Sequence, residues 1–256
     1  MRTADWTDSI SVLDRVTAVF DAFGEQDDGL GVSELARRAN LPKSTVSRIA
    51  ADLVAQRFLD RDGDKLYLGV RLYELAQTVE QPRRLRHLAF PVMTELRDAT
   101  GQTVNLAVLE GADVVFVAIV RGGRTSNPLA RIGCRLPAHA TALGKAILAF
   151  SPQSVIERII QGGLEVRTPH TISEPSALLR ELMDIRRLGV ATEKEECAND
   201  RACAASPILG HGGSPIAAIS VSGSVSNVVP DRIAPAVRAA GIALSRRMTA
   251  GSHHGS

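Results

Sequence analysis

The chain has 256 residues, of which 45% are hydrophobic, and its formal net charge is +2. This composition is typical of a globular protein with one large or two smaller domains, and it excludes a nucleic-acid binder that relies on overall charge. Three cysteines without a CxxC pair exclude a disulfide scaffold and indicate a reducing compartment. No signal peptide or membrane-length apolar stretch is recognisable, so we expect a cytoplasmic protein without a membrane partner.

Charge is unevenly distributed over the first eighty residues. They hold 10 Lys and Arg against 14 Asp and Glu, a net charge of −4, yet residues 37–48 contain four cations and no acid. Cations gathered at one place in an acidic segment indicate a positioned basic patch. A solvated helical face is the other interpretation that charge alone leaves open.

Residues 33–57, SELARRANLPKSTVSRIAADLVAQR, predict two short helices joined by a tight turn. A helix before them, capped by Thr7 or Ser9, is expected to run to about Phe23 because its apolar residues follow helical spacing. Ser33 is the expected N-cap of the second helix. Residues 40–42 form the turn, and the proline suits the start of the third helix.

The third predicted helix, which follows the turn at 40–42, is amphipathic. Its apolar residues follow the i, i+3, i+4, i+7 spacing of one buried face, at Val46, Ile49, Ala50 and Leu53. The outward side of its N-terminal half carries short hydroxyls and long cations, which can contact phosphates and guanine edges in the major groove. A plain three-helix bundle with a polar surface is the alternative.

The following residues favour DNA binding over a plain bundle. Residues 58–69 alternate in polarity around Asp62-Gly63-Asp64, which predicts a β-hairpin. Three helices followed by a hairpin form a winged helix-turn-helix. The expected DNA contacts are Arg38, Lys43, Ser44, Thr45, Ser47, Arg48, Arg61 and Lys65.

The remaining chain predicts an α+β domain. A helix over 83–99 contains Pro91, which should kink or divide it. Strands in hairpins, with helices on one side of the sheet, leave the other face or its loops free to build a pocket. We therefore expect a DNA-binding domain over 1–70, a linker helix over 71–82, a second domain over 83–250 and a disordered tail over 251–256.

Ordered motifs in both parts of the chain carry a family resemblance over about residues 9–249. They are SELARRANLPKSTVSRI, KLYLG, TGQTVNLAVLEG, RIGCRLPAHATALGKAILA, ACAASPI and IAAISVSG. The chain resembles the IclR family of bacterial transcriptional regulators. The resemblance implies a winged helix, a linker helix used in dimerisation and a GAF-like effector domain. It also implies homodimers or dimers of dimers on palindromic operator DNA.

The resemblance further implies a pocket for a small organic acid or aromatic metabolite. Its expected contacts are the backbone amides of Ala142 and Leu143 and the side chains of Glu193, Cys203, Ser220 and Ser222. Period-2 spacing independently places the two serines on one face of a strand. Three positions depart from the family pattern: Glu193 replaces an Asp, Asp200 stands where Gly is common, which puts the local turn in question, and Cys134 stands where Ser is common.

Other functions remain open at this point. Cys134, His139, Cys197 and Cys203 are residue types that bind zinc, but their spacing matches no zinc motif, so no metal and no cofactor is expected. No catalytic triad is recognisable, so we expect a regulator and no enzyme. The alternatives are a DNA-binding protein without a small-molecule response and a hydrolase that uses Cys203 or His139.

Overall fold

The structure, a computed structural model, describes residues 11–24, 27–123 and 131–250. The chain divides into two compact units, residues 1–80 and 81–256. The helices are α1 Val12–Asp21, α2 Val32–Ala39, α3 Lys43–Ala55, α4 Val70–Thr78, α5 Glu80–Thr100, α6 Ala142–Leu148, α7 Gln153–Gln161, α8 Pro175–Leu188 and α9 Pro230–Ala250. The strands are β1 Leu30–Gly31, β2 Leu59–Asp62, β3 Lys65–Leu68, β4 Thr103–Glu110, β5 Asp113–Val120, β6 Arg135–Pro137, β7 Ala191–Lys194, β8 Ala202–Leu209 and β9 Pro215–Gly223.

The starts of the first two helices differ from the sequence prediction. Ser11 caps α1 in a capping box: its hydroxyl accepts from the Asp14 amide, and the Asp14 carboxylate accepts from the Ser11 amide, both at 3.0 Å. The predicted caps Thr7 and Ser9 lie outside the described residues. Ser33 as the N-cap of α2 was wrong, because Leu30–Gly31 pair with β3 and the extended Gly31 therefore starts the helix earlier.

The first unit is a winged helix-turn-helix, as predicted. Val46, Ile49, Ala50 and Leu53 of α3 are buried, in a core to which α1, α2 and the strands also contribute. Asn40 ends α2 in the left-handed conformation, which asparagine tolerates, and so turns the chain toward α3. The wing is a three-stranded antiparallel sheet in the order β1-β3-β2.

The linker helix predicted over 71–82 is shorter in the structure, because Val79 is extended and α5 begins at Glu80; the part before it forms α4 directly after the wing. Arg71 ties its start to the end of α3, because the guanidinium donates to the Gln56 carbonyl at 2.9 Å. The same guanidinium lies 4.9 Å from the centroid of the Phe58 ring. These two contacts hold the first turn of α4 against the winged helix.

The second unit is built on one antiparallel sheet in the order β6-β5-β4-β9-β8-β7. Helices α5 and α9 share a hydrophobic core with one set of sheet residues, including Val104 and Ile219. Helices α6, α7 and α8 share a second core with others, including Ala107 and Ala205. The expectation of helices on one side was therefore wrong. The interior strands β8 and β9 are buried on both faces and are accordingly rich in small apolar residues.

Pro91 does not divide α5, which runs without interruption from Glu80 to Thr100. Proline at this position leaves the carbonyl of His87 without its usual helical donor. Both residues are on the exposed side of the helix, where water can bond that carbonyl. None of the described helices combines the length and apolarity needed to cross a bilayer.

Candidate functional site

The N-terminal half of α3 presents a polar surface in the first unit. Lys43, Ser44, Ser47 and Arg48 are exposed, and Thr45 is half-buried. None of these side chains forms a hydrogen bond or ion pair with another residue in the part of the chain that the structure describes. The exposed Arg61 on β2 is likewise unpaired among the described residues. These groups are therefore available to an external partner.

Two of the predicted DNA contacts are instead engaged within the unit. The Arg38 guanidinium lies 2.7 Å from Asp27 and 2.8 Å from Glu34. Hydrogen bonds from Arg37 and Arg38 lower the pKa of the Glu34 carboxyl to about 2. Lys65 donates to the carbonyl of Asp28 at 2.6 Å and to its carboxylate at 3.1 Å. These contacts give both cations a structural role within the unit.

A cavity lies in the second unit between the sheet and the start of α6. Its volume is about 30 Å³, and it is partly open to solvent. Its described lining residues are Asn105, Phe116, Leu136, Thr141, Ala142, Leu143, Glu193, Cys197, Arg201, Cys203, Ser220 and Ser222. The structure thus brings together all six residues that the resemblance assigned to the effector pocket.

Strand pairing explains why these residues meet. Ser222 on β9 is opposite Cys203 on β8, which is opposite Glu193 on β7. Asn105 on β4 is opposite Ser220. Alternate residues of a strand point to opposite faces of the sheet. The side chains of these five residues therefore point to the same face, and together they are called the polar row. Val221, which lies between the two serines, packs with α5 and α9.

Asn105 organises the floor of the cavity. Its Nδ2 donates to the hydroxyls of Ser220 at 3.2 Å and Ser222 at 2.9 Å. The residue is 2% exposed, and its Oδ1 has no hydrogen-bond partner in the described protein. A buried acceptor without a donor costs about 1–3 kcal/mol, so this atom is a ready contact for a ligand.

Glu193 supplies a buried carboxyl at the other end of the row. Its Oε1 accepts from the backbone amides of Glu196 at 2.8 Å and Cys197 at 3.2 Å. Burial, which outweighs these two amides, raises the pKa of the Glu193 carboxyl to about 7. Its protonation state therefore changes near neutral pH.

The turn between β7 and β8 keeps a glycine-like geometry without glycine. Asp200 has φ of 53°, in the left-handed region that glycine adopts readily. The amide of Asp200 donates to the Glu195 carboxylate at 3.0 Å, and its own carboxylate accepts from the Val225 amide at 3.2 Å. These two bonds hold Asp200 in this turn conformation.

A buried ion cluster supports the opposite wall. Lys145 on α6 is fully buried, and its ammonium lies 2.7 Å from Glu196 and 3.0 Å from Glu181 on α8. Burial raises the pKa of the Glu196 carboxyl against the opposing attraction of Lys145. Since the Glu196 amide also binds the Glu193 carboxylate, the cluster connects α6 and α8 to the cavity.

The residues considered for catalysis or metal binding do not form such a centre. His139 is buried, and its Nε2 lies 3.0 Å from the Glu165 carbonyl, away from the cavity lining. Burial raises the pKa of the Cys203 thiol to about 12, which keeps it protonated. Among the residues described, no three His, Cys, Asp or Glu side chains are arranged to hold a metal ion.

Two important cavity residues were not predicted from the sequence. Asn105 is a polar residue within the apolar strand TVNLAVLE, which is a signal of a buried polar role. Arg201 lies two residues before Cys203, so the same period-2 argument that found the serines would have included it. Their approach to each other depends on the order of the strands, which the sequence pattern does not specify.

Both units match known families. Residues 12–63 match the family described as IclR helix-turn-helix domain, and residues 77–246 match Bacterial transcriptional regulator IclR C-terminal. The chain is 31% identical over 245 residues to the HTH-type transcriptional regulator XynR of Escherichia coli K12, covering 93% of this chain and 97% of the relative. It is 30% identical over 236 residues to the Transcriptional repressor IclR of the same strain, covering 90% and 86%.

Solved structures show the same architecture. An IclR homolog complexed with 4-hydroxybenzoate, from Microbacterium hydrocarbonoxydans, is similar with a TM-score of 0.84 and 31% identity, covering 93% of this chain and 99% of that one. The Thermotoga maritima IclR has a TM-score of 0.74 and 30% identity, covering 92% and 98%. With its winged helix-turn-helix and its C-terminal effector domain, this chain belongs to the IclR family of DNA-binding bacterial transcriptional regulators.

Proposed function

We propose that this regulator reads operator DNA with the exposed start of α3 and changes its operator affinity when a small organic acid or aromatic metabolite binds in the second unit. The main support for the proposal is the cavity, because every predicted effector contact lines it, together with buried polar groups. A ligand that binds one arrangement of the protein better than another shifts the equilibrium between them.

The proposed DNA contacts are residues of α3 and the wing. Lys43, Ser44, Ser47 and Arg48 are exposed together, with Thr45 beside them and Arg61 on the wing. Arg38 and Lys65 are proposed to act indirectly, by fixing the wing and α2 through their acidic partners. Residues 71–82 would serve as the linker between a DNA-binding domain over 1–70 and an effector domain over 83–250.

The proposed assembly is a homodimer, or a dimer of dimers, on a palindromic site in the cytoplasm. A two-fold symmetric protein presents its two recognition helices to two half-sites about one helical turn apart or a multiple of it. Palindromic operators follow from that symmetry.

The cavity fits a regulatory ligand pocket better than a catalytic site. The Cys203 thiol, whose pKa is raised to about 12, is a poor nucleophile at neutral pH. His139 bonds the Glu165 carbonyl and does not line the cavity. A hydrolase using these two residues therefore lacks an activated nucleophile and a base beside it.

Two measurements test the proposal. Mobility-shift titrations with DNA from upstream of the protein's own gene should show sequence-selective binding. Thermal-shift screening against organic acids and aromatic metabolites, including 4-hydroxybenzoate, should find a ligand that raises the melting temperature and changes DNA affinity. DNA binding without any ligand response would favour the simpler DNA-binding protein, and the absence of selective DNA binding would overturn the proposal.

A further inference from the structure

A second cavity, with a volume of about 510 Å³, lies along β7, the outermost strand of the sheet. Thr192, Glu193 and Lys194 line it in succession. Its other walls come from both faces of the sheet, with Glu181 on α8 at one side and Asp231 in the first turn of α9 at the other. Because walls from opposite faces can meet only beyond the last strand, this cavity lies at the free edge of the sheet. We call it the edge groove.

The backbone of this edge has hydrogen-bonding groups that the protein leaves open. The Glu195 amide donates to the Arg201 carbonyl at 2.7 Å, which continues the register between β7 and β8. Opposite residues of an antiparallel pair alternate between bonded and non-bonded positions, so Thr192 and Lys194 are the non-bonded positions of β7. Their N–H and C=O groups therefore point away from β8 toward the edge groove, and they bond no residue in the part of the chain that the structure describes.

An added antiparallel strand matches this pattern. Each outward position offers one donor and one acceptor, so a peptide paired with both positions would form about four backbone hydrogen bonds. The four residues of β7 span about 13 Å at the usual rise of a strand. Three consecutive peptide residues, opposite 192–194, are enough to cover the outward positions.

The side chains of such a strand would alternate between the two faces of the sheet. Glu193 is opposite Cys203, which belongs to the core shared with α6 and α8. A peptide residue opposite Glu193 therefore points to the α8 face. Its two neighbours point to the α9 face, where Val229 and Pro230 line the groove and favour apolar side chains.

The α8 face of the edge groove favours a cation. Glu181 and Glu196 line this face and share the ammonium of Lys145, so one negative charge stays uncompensated. On the α9 face, the charges of the exposed Asp231 and Lys194 balance each other. A basic side chain directed to the α8 face is therefore attracted, and an acidic one is repelled.

We propose that the edge groove docks an extended segment of a partner protein, in which a basic residue stands between two apolar residues. The segment adds to the six-stranded sheet as a further strand, antiparallel to β7, with its basic residue opposite Glu193. Docking requires neither DNA nor a small ligand, so it goes beyond the proposed function and does not depend on it.

Fluorescence anisotropy of labelled peptides titrated with the full chain tests the proposal. The probe is the pentapeptide Thr-Val-Arg-Val-Thr with both ends blocked, and we expect saturable binding. Replacing its arginine by glutamate should lower the affinity at least about tenfold. Methylating the amide of one valine, which faces β7, should have a similar effect, whereas methylating the arginine amide, which faces away, should have little effect.

Two variants at one position test the strand edge. Thr192→Pro removes an outward N–H but leaves the ladder to β8 intact, so it should weaken peptide binding at least about tenfold. Thr192→Val keeps that N–H and a β-branched side chain, and it should bind like the wild type. Glu181→Gln should reduce the preference for the arginine peptide over the glutamate peptide. If Thr192→Pro fails to fold, the two methylated peptides still test the edge with the wild-type protein.

The absence of saturable binding overturns the proposal, and so does an equal loss on methylating the valine and the arginine amides. Unchanged affinity in a folded Thr192→Pro does so as well. Sedimentation of the proteins without peptide tests whether a second copy occupies the edge: a mass that falls in Thr192→Pro but not in Thr192→Val would overturn docking of a separate partner. Each of these results leaves operator binding and its ligand response standing.

Discussion

Arg48 is the residue at which the DNA-reading proposal is most directly tested. It is exposed on α3 and has no partner among the described residues. Arg48→Ala is expected to weaken operator binding about tenfold to hundredfold, the usual effect of losing one arginine contact to a base. Mobility-shift titration at fixed salt measures it, and Arg86→Ala, on the exposed side of α5, is the charge-matched control. Unchanged affinity would remove Arg48 from the DNA-reading surface.

Glu193 makes the stability of the fold depend on pH. The folded protein holds the Glu193 proton up to a pKa of about 7, whereas the unfolded chain releases it near the ordinary value of 4.5. Between these two values the folded state binds more protons, so the free energy of unfolding falls as pH rises, by about 3 kcal/mol in total. Glu193→Gln should remove this part of the slope.

Urea denaturation from about pH 4.5 to about pH 7.5 measures the effect as the difference between wild type and Glu193→Gln. The charged or titratable groups that act on Glu193 are Glu196 and Arg201, while the thiols of Cys197 and Cys203, with pKa values raised to about 11 and 12, stay neutral over this range. Glu95→Gln, an exposed carboxyl on α5, is the control. If the free energy of unfolding changed with pH in parallel for wild type and Glu193→Gln, the prediction would be contradicted.

At the scale of elements, the Lys145 cluster joins α6, α8 and the segment after β7. Lys145→Met is expected to destabilise the second unit by about 3–5 kcal/mol, because it leaves the buried Glu196 carboxylate without its cation. Chemical denaturation measures the loss, with the exposed Lys194→Met as the control. The double variant Lys145→Met with Glu196→Gln should recover part of the stability, and a double variant as unstable as the single one would contradict this explanation.

The sequence predicted local elements well and non-local ones poorly. Period-2 alternation correctly placed Ser220 and Ser222 on one face, and helical spacing found the buried side of α3. The two-residue strand β1 was missed because its pairing with β3 joins residues more than thirty positions apart. The role of Asn105 was missed for the same reason, since β4 and β9 are brought together by a pairing that no local pattern encodes.

At the scale of the whole molecule, composition and motifs predicted two units and their family, and the comparisons confirm that family over most of the chain. Covering of the sheet on both faces was not predicted, because residues such as Ala204 and Ala205 are small enough to suit either face. The cavity follows from this arrangement. It lies where the small side chains of β8 and β9 give way to the polar row at the start of β8 and the end of β9.

The internal pairing of Arg38 and Lys65 has a consequence for how salt should affect DNA binding. It leaves Lys43, Arg48 and Arg61 as the unpaired cations at the described α3 and wing surface. Each neutralised phosphate releases condensed counterions and adds about −0.9 to the slope of log K against log salt. Three contacts per domain predict a slope of about −3, or about −5 for two domains bound together. Each doubling of the salt concentration should therefore weaken operator binding about eightfold for a slope of −3 and about thirtyfold for a slope of −5.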